Sequence, residues 1–136
     1  MKVRNLIPLG FIALCVFIST NLFAQKRDFY ELRTYHIENA EQEAMLDDYL
    51  AKAFIPAAHK QGIAKVGVFK PIASQPNAGK AVYLFVPFKS MDEYLAFDGK
   101  LAKDQNYQTA GSAYINAPHD KPPYKRIETS ILQAMT

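Results

Sequence analysis

The stretch Phe29-Tyr30-Glu31-Leu32-Arg33-Thr34-Tyr35-His36-Ile37 decides the fold. It is rich in aromatic and branched residues and alternates in polarity, which predicts a strand. Asn39 follows it, and the Asn39 side chain can accept a hydrogen bond from the amide of Gln42 in the first turn of a helix. The sequence therefore predicts a strand that passes directly into a capped helix.

The rest of the chain extends this order. Apolar residues at helical spacing continue to Gly62, with an interruption expected at Pro56, and strands are expected over Ile63–Ile72 and Ala81–Phe88. The capping box Ser90–Glu93 opens a second helical region, which we expect Gly99 and Gly111 to divide. A fourth strand is expected over Tyr124–Met135.

The order β-α-β-β-α-β predicts an α+β, ferredoxin-like fold. Its four-stranded antiparallel sheet has the strand order 4-1-3-2, and both helices lie on one face. The other face is left uncovered, and Phe69, Tyr83 and Phe85 are expected on it. We therefore expect a homodimer that pairs through this open face.

Residues 1–24 have the features of an export signal. Lys2 and Arg4 precede a short apolar core over Leu6–Ile18, and the small residue Ala24 comes before an abrupt change to polar residues. The sequence thus predicts a signal peptide over 1–24, one domain over 25–136, and a periplasmic or secreted protein. An uncleaved membrane anchor is the alternative.

The charge balance argues against nucleic-acid binding. The whole chain has 16 Lys and Arg against 13 Asp and Glu, but Lys2 and Arg4 belong to the predicted leader, so the remainder is almost neutral. Its basic residues are also scattered rather than clustered, so no electrostatic footprint for nucleic acid is expected. Hydrophobic residues make up 49% of the chain, a composition that predicts a folded domain.

The main site candidate is one face of the first strand, which carries Glu31, Arg33 and Tyr35. We expect these side chains to point away from the helices, since Leu32 alternates with them and should meet the core. Three further residues on neighbouring strands are expected to join them: Tyr83, Arg126 and Glu128. Such a face could bind a small ligand anchored by Arg33, or serve the commoner role of a charge network that fixes strand register and dimer pairing.

The histidines and the short sequence motifs predict no metal site and no catalytic site. His36, His59 and His119 have no metal-ligand spacing, and His59 is the best single candidate for a ligand contact or a proton-transfer group, with an ordinary surface role as the alternative. No nucleophile elbow, phosphate-binding loop or dinucleotide motif occurs. No catalytic residue, metal site or cofactor is therefore predicted.

Five segments of the chain resemble NIPSNAP-type domains of the dimeric α+β barrel group, in particular exported bacterial members. These segments are Tyr30–Tyr35, Ile55–His59, Val66–Pro71, Asn116–Tyr124 and Arg126–Leu132. The resemblance implies the fold and dimerisation but little about chemistry. Because such relatives often carry two domains in tandem, the chain is expected to be either a one-domain member or the first half of a longer protein.

These observations favour an exported, homodimeric module that binds a small molecule or a partner without covalent chemistry. One alternative is a small-molecule enzyme of the dimeric α+β barrel type, monooxygenase-like or haem-related, and the residues leave open whether the protein is an enzyme. A further alternative is a structural assembly module. Apart from the leader, no membrane contact is predicted.

Overall fold

The computed structural model describes residues 27–135, so the predicted leader lies outside the described residues. The strands are β1 (Phe29–His36), β2 (Gly67–Phe69), β3 (Ala81–Phe88) and β4 (Arg126–Gln133). The helices are α1 (Ala40–Tyr49), a π-helix (Leu50–Phe54), α2 (Ile55–Lys60), α3 (Met91–Lys103), α4 (Gln105–Ala110) and α5 (Ser112–Ile115).

The four strands form one sheet in the order β2-β3-β1-β4, and every neighbouring pair is antiparallel. The predicted strand order is confirmed. Arg33 on β1 lies opposite Leu84 on β3 and Thr129 on β4, which fixes the register on both sides.

The first helical segment begins and ends where the sequence predicts. Asn39 Oδ1 accepts from the amide of Gln42 at 2.9 Å, and Gly62 ends the segment with φ = 88°, a left-handed conformation that glycine adopts without strain. Between them the helix widens into the π-helical turn just before Pro56. Proline has no amide hydrogen and crowds the carbonyl four residues before it. A widened turn before Pro56 accommodates both effects.

Two predicted boundaries are wrong. β2 spans only Gly67–Phe69 rather than Ile63–Ile72, because Lys70 turns to Glu43 and Asp47 on α1 and Pro71 has no amide to donate. α3 runs through Gly99 without a break. The break comes instead at Asp104, whose side chain accepts from the amides of Asn106 and Tyr107 and so starts a new helix.

The core lies between the helices and one face of the sheet. Val82, Leu84 and Val86 of β3 are completely buried on this helix face, together with Leu46 and Phe54 of the first helical segment. The alternate residues of β3, Tyr83 and Phe85, lie on the opposite face as predicted. We call this second surface the open face.

The predicted orientation of β1 is wrong. The register sets Glu31, Arg33 and Tyr35 opposite Val86, Leu84 and Val82. Residues directly opposite each other on neighbouring strands share a face, so these β1 side chains point toward the helices. Glu31 is 1% exposed and Tyr35 is 0% exposed. Leu32, which we expected in the core, is on the open face.

Candidate functional site

A buried polar cluster lies on the helix face of β1, and we call Glu31, Arg33 and Tyr35 the Arg33 cluster. Arg33 Nε and Nη2 both contact Glu31 Oε1, at 2.8 and 2.7 Å. Arg33 Nη1 donates to the Tyr35 hydroxyl at 3.3 Å. The strand itself positions the three side chains, since residues two apart on a strand project in parallel from one face.

One oxygen of this cluster is unpartnered. Both contacts from Arg33 go to Oε1 of Glu31, and the buried Oε2 has no hydrogen-bond partner among residues 27–135. A buried acceptor left without a donor costs about 1–3 kcal/mol, and more when it is charged. An unpartnered carboxylate oxygen is therefore a place where a donor from outside the fold would be stabilising.

Arg33 remains a cation in this environment. Burial alone would lower its pKa, but the adjacent Tyr35 and Glu31 outweigh burial and raise the pKa above its ordinary value. The guanidinium carbon also lies 5.8 Å from the centre of the Phe54 ring, within range of a cation–π interaction. The cluster thus holds one positive and one negative charge in direct contact.

Tyrosines from the helices, together with Tyr124 directly after the Pro-rich loop (residues 118–123), surround the cluster. Tyr49 and Tyr107 share a hydrogen bond at 2.8 Å between their hydroxyls, and the Tyr49 ring stacks on Tyr114 with centroids 3.8 Å apart. Tyr35 meets Tyr114 and Tyr124 edge-on at 6.5 and 6.1 Å. Burial raises the pKa of Tyr35, Tyr49 and Tyr114, so these phenols are neutral at pH 7.

The cluster reaches solvent at Arg33. The helices cover β1 and β3 but leave β4 exposed: Thr129, directly opposite Arg33, is exposed, and Ile131 is 38% exposed on the same face. The Arg33 side chain keeps 16% of its surface accessible. A small molecule could therefore approach the cluster over β4.

A separate cleft of about 750 Å³ has walls that include Tyr107, Tyr114 and Tyr124 but none of the Arg33 cluster. It lies against the Pro-rich loop that carries His119. Tyr114 and Tyr124 thus contact Tyr35 of the cluster and also line this cleft.

The remaining predicted site residues lie elsewhere. Tyr83, Arg126 and Glu128 are on the open face, so the expectation that they join Glu31 and Arg33 is wrong. The reason is the strand register. Tyr83, Arg126 and Glu128 lie opposite even-numbered residues of β1, which face the open side, whereas the odd-numbered residues of β1 lie opposite the core residues of β3. On the open face, Glu128 lies 2.6 Å from Arg126 and 3.4 Å from His36.

His59 is exposed on α2, and among residues 27–135 no hydrogen bond or ion pair joins it to the Arg33 cluster. It lines a second open cleft, of about 790 Å³, at the edge of the sheet, which also contains the stacked rings of Tyr30 and Phe85. Its proposed role in ligand contact or proton transfer stays a prediction.

The sequence did not single out the tyrosines around the cluster, because aromatics at apolar positions usually belong to the core. Tyr107 and Tyr114 are seven residues apart, a spacing that places both on one side of a helical segment, and this was the available signal. In residues 27–135, no helix is long and apolar enough to cross a membrane, and no three acidic, His or Cys side chains group as a metal site would require.

An antiparallel sheet in this strand order, with helices on one face and a buried polar cluster beneath them, defines an α+β protein of the ferredoxin-like class. Residues 30–133 match the NIPSNAP family profile. The chain belongs to the NIPSNAP family.

Solved structures agree with this assignment at the level of fold. A NIPSNAP family protein from Agrobacterium tumefaciens is 24% identical with a TM-score of 0.57, and the match covers 77% of this chain and 90% of that one. An uncharacterised NIPSNAP-like domain protein from Burkholderia xenovorans is 13% identical with a TM-score of 0.60, covering 82% and 88%.

A third structure is described as a dimeric protein of unknown function with a ferredoxin-like fold, from Bacteroides fragilis. It is 11% identical with a TM-score of 0.54, and the match covers 79% of this chain and 96% of that one. No curated protein matches the chain significantly.

Proposed function

We propose that this protein is an exported homodimer that binds a small molecule at the Arg33 cluster without covalent chemistry. The observation that carries the proposal is the Oε2 oxygen of Glu31, which is buried and has no partner among the described residues. A ligand that donates a hydrogen bond to this oxygen would remove the cost of leaving it unpaired. The accessible edge of Arg33 beside β4 provides the approach.

The chemistry of the cluster favours binding over catalysis. Arg33 stays protonated and the Tyr35 phenol stays neutral, so these two groups offer hydrogen bonds and a fixed charge rather than a proton to transfer. The enzyme hypothesis of the dimeric α+β barrel type stays a prediction without a supporting contact in this site.

The homodimer is proposed from the open face. Phe69 is 59% exposed and Leu132 is 45% exposed there, next to the half-buried stacked pair Tyr30 and Phe85. A contiguous apolar patch of this kind is typical of an association surface. The ferredoxin-like protein from Bacteroides fragilis, which has a similar fold, is described as dimeric, and this supports a dimer here.

Ligand retention is tested by native mass spectrometry of the full-length chain expressed in a bacterial host and recovered from the periplasm. We expect a dimer that lacks the leader residues 1–24 and carries additional mass from a retained small molecule. Glu31→Gln should lose this mass, whereas Asp48→Asn, which removes the same charge from the exposed pair of Asp48 and Lys52 on the helical side, should keep it. A bare wild-type spectrum, together with no thermal shift across a small-molecule library, would refute the binding proposal.

The dimer is tested by light scattering on two matched variants. Leu132→Glu places a charge on the open face and should yield monomers. Leu95→Glu places the same charge on the exposed surface of α3, where Leu95 is 69% exposed, and should leave the dimer intact. A monomeric wild-type protein, or equal behaviour of the two variants, would contradict the proposed interface.

A further inference from the structure

The hydrogen-bonding groups of the Arg33 cluster restrict the chemical class of its ligand. Resting on the proposed function, we infer that the ligand is a neutral aromatic molecule that carries a hydroxyl or another hydrogen-bond donor. The inference has three parts, which concern charge, hydrogen bonding and shape.

The charge argument begins with the pairing of Arg33 and Glu31. The two charges are in contact at 2.7 Å, so the cluster has no net charge to offer a ligand. Burying a further charge beside a pair that is already neutralised costs hydration without supplying a counter-ion. A cation would meet the guanidinium of Arg33.

The hydrogen-bond argument concerns Glu31 Oε2. A carboxylate oxygen held in an ion pair only accepts hydrogen bonds, so the group that meets it has to donate one. Hydrogen bonds to charged groups contribute about 1.5–3 kcal/mol, more than those between neutral groups. A ligand with a hydroxyl should therefore bind more tightly than the same ligand with that hydroxyl blocked.

The shape argument comes from the surrounding rings. The Phe54 ring centre lies 5.8 Å from the Arg33 guanidinium carbon, and Tyr114 and Tyr124 meet the Tyr35 ring edge-on. Tyr114 and Tyr124 also line the neighbouring cleft of about 750 Å³. Aromatic rings around the cluster suit a flat ligand that can pack against them.

Four probes with one ring system test the inference on the full-length protein by isothermal titration calorimetry. They are 2-naphthol as the neutral donor, 2-methoxynaphthalene as the blocked form, 2-naphthoate as the anion, and 2-naphthylmethylammonium as the cation. Wild-type protein should bind 2-naphthol about tenfold or more tightly than each of the others.

The variant Glu31→Gln should reverse this preference. A glutamine can still accept from Arg33 through its oxygen, but it places an amide donor where Oε2 was and leaves the Arg33 charge unbalanced. 2-Naphthol should then bind no better than its methyl ether, and 2-naphthoate should bind best. The matched control Asp48→Asn, at the exposed pair of Asp48 and Lys52, should keep the wild-type order. Should Glu31→Gln fail to fold, the four affinities of the wild-type protein decide the question alone.

Two kinds of failure can be told apart. Tightest binding of the anion or the cation, or equal binding of 2-naphthol and its methyl ether, overturns the ligand class and leaves the binding proposal standing. Failure of all four probes to bind also overturns the ligand class. The binding proposal falls with it only if the native mass spectrum of the wild-type dimer is bare and no compound of the small-molecule library shifts its melting temperature.

Discussion

Two Arg–Glu pairs on neighbouring strands invite direct comparison. Arg33 and Glu31 on β1 approach to 2.7 Å, and Arg126 and Glu128 on β4 approach to 2.6 Å. In both pairs the partners are two residues apart and lie on one face of the sheet. The side chains of the first pair are 16% and 1% exposed, whereas those of the second are 62% and 52% exposed.

The difference shows that burial, rather than distance, sets the energetic role of an ion pair. Water screens the exposed pair, and such pairs typically contribute about 0–1 kcal/mol. The buried pair has lost its hydration, so each charge depends on the other, and removing one leaves the partner uncompensated. The two pairs should be compared in protein that also carries Leu132→Glu. This variant is expected to be monomeric, so the open face with Arg126 and Glu128 stays exposed to solvent.

The largest effect is expected for Glu31→Ala. Removing this carboxylate leaves Arg33 largely buried, and the Tyr35 hydroxyl is then its one side-chain acceptor among residues 27–135. We expect a loss of about 3 kcal/mol in the free energy of unfolding, near the low end for broken buried pairs because Arg33 keeps some solvent contact. Urea unfolding measures this loss. A loss below about 1 kcal/mol would mean that the cluster is effectively hydrated.

An intermediate effect on stability is expected from the ionisation of the tyrosines, which lie around the buried pair and not around the exposed one. An unfolded tyrosine loses its proton near pH 10, but burial raises the pKa of Tyr49 in the folded protein. Above pH 10 the unfolded chain therefore binds fewer protons than the folded one, and stability falls as the pH rises, by up to about 1.4 kcal/mol per pH unit for each such tyrosine. Below pH 10 this contribution is fully present.

The variant Tyr49→Phe should make that alkaline decline less steep by the contribution of one tyrosine. Urea unfolding between pH 7 and pH 11.5 follows the slope. At pH 7 the variant should lose only the hydrogen bond to Tyr107, about 1 kcal/mol. If the free energy of unfolding falls with pH equally steeply in the variant and the wild-type protein, then Tyr49 ionises equally in the folded and unfolded states.

The smallest effect is expected for Glu128→Ala. Its partner Arg126 is 62% exposed and can be hydrated once the carboxylate is removed. We expect a loss of about 0.5 kcal/mol or less. In 1 M NaCl this small loss should vanish, because the Debye length shrinks to about 3 Å, while the loss caused by Glu31→Ala should largely persist. A loss as large as that of Glu31→Ala would show that the comparison by burial fails.

Much of the fold followed from local patterns. Asn39 and Ser90 accept from the amides of Gln42 and Glu93 as the capping signals require, because a cap depends only on residues three apart. The strand order followed from the order of elements and the handedness of crossovers. β2 was predicted too long because its end depends on Lys70 leaving the sheet for α1, a contact between distant parts of the chain.

The site was predicted in composition but not in placement. Glu31, Arg33 and Tyr35 were correctly grouped, because the period of two along a strand is a local property. The side of the sheet that they occupy was predicted wrongly, because the prediction assigned Leu32, rather than its polar neighbours, to the core. The partners in β3 decided otherwise, since Val82, Leu84 and Val86 must face the helices and carry the odd residues of β1 with them.

The sequence by itself determined the elements, their order and the shared face of the Arg33 cluster, all of which depend on residues close together in the chain. Only the tertiary structure decided that this cluster lies beneath the helices while Arg126 and Glu128 remain on the open face. The physical reason is that strand register is set by the apolar face of the central strand, and its burial outweighs the preference of two charges for water when those charges can pair.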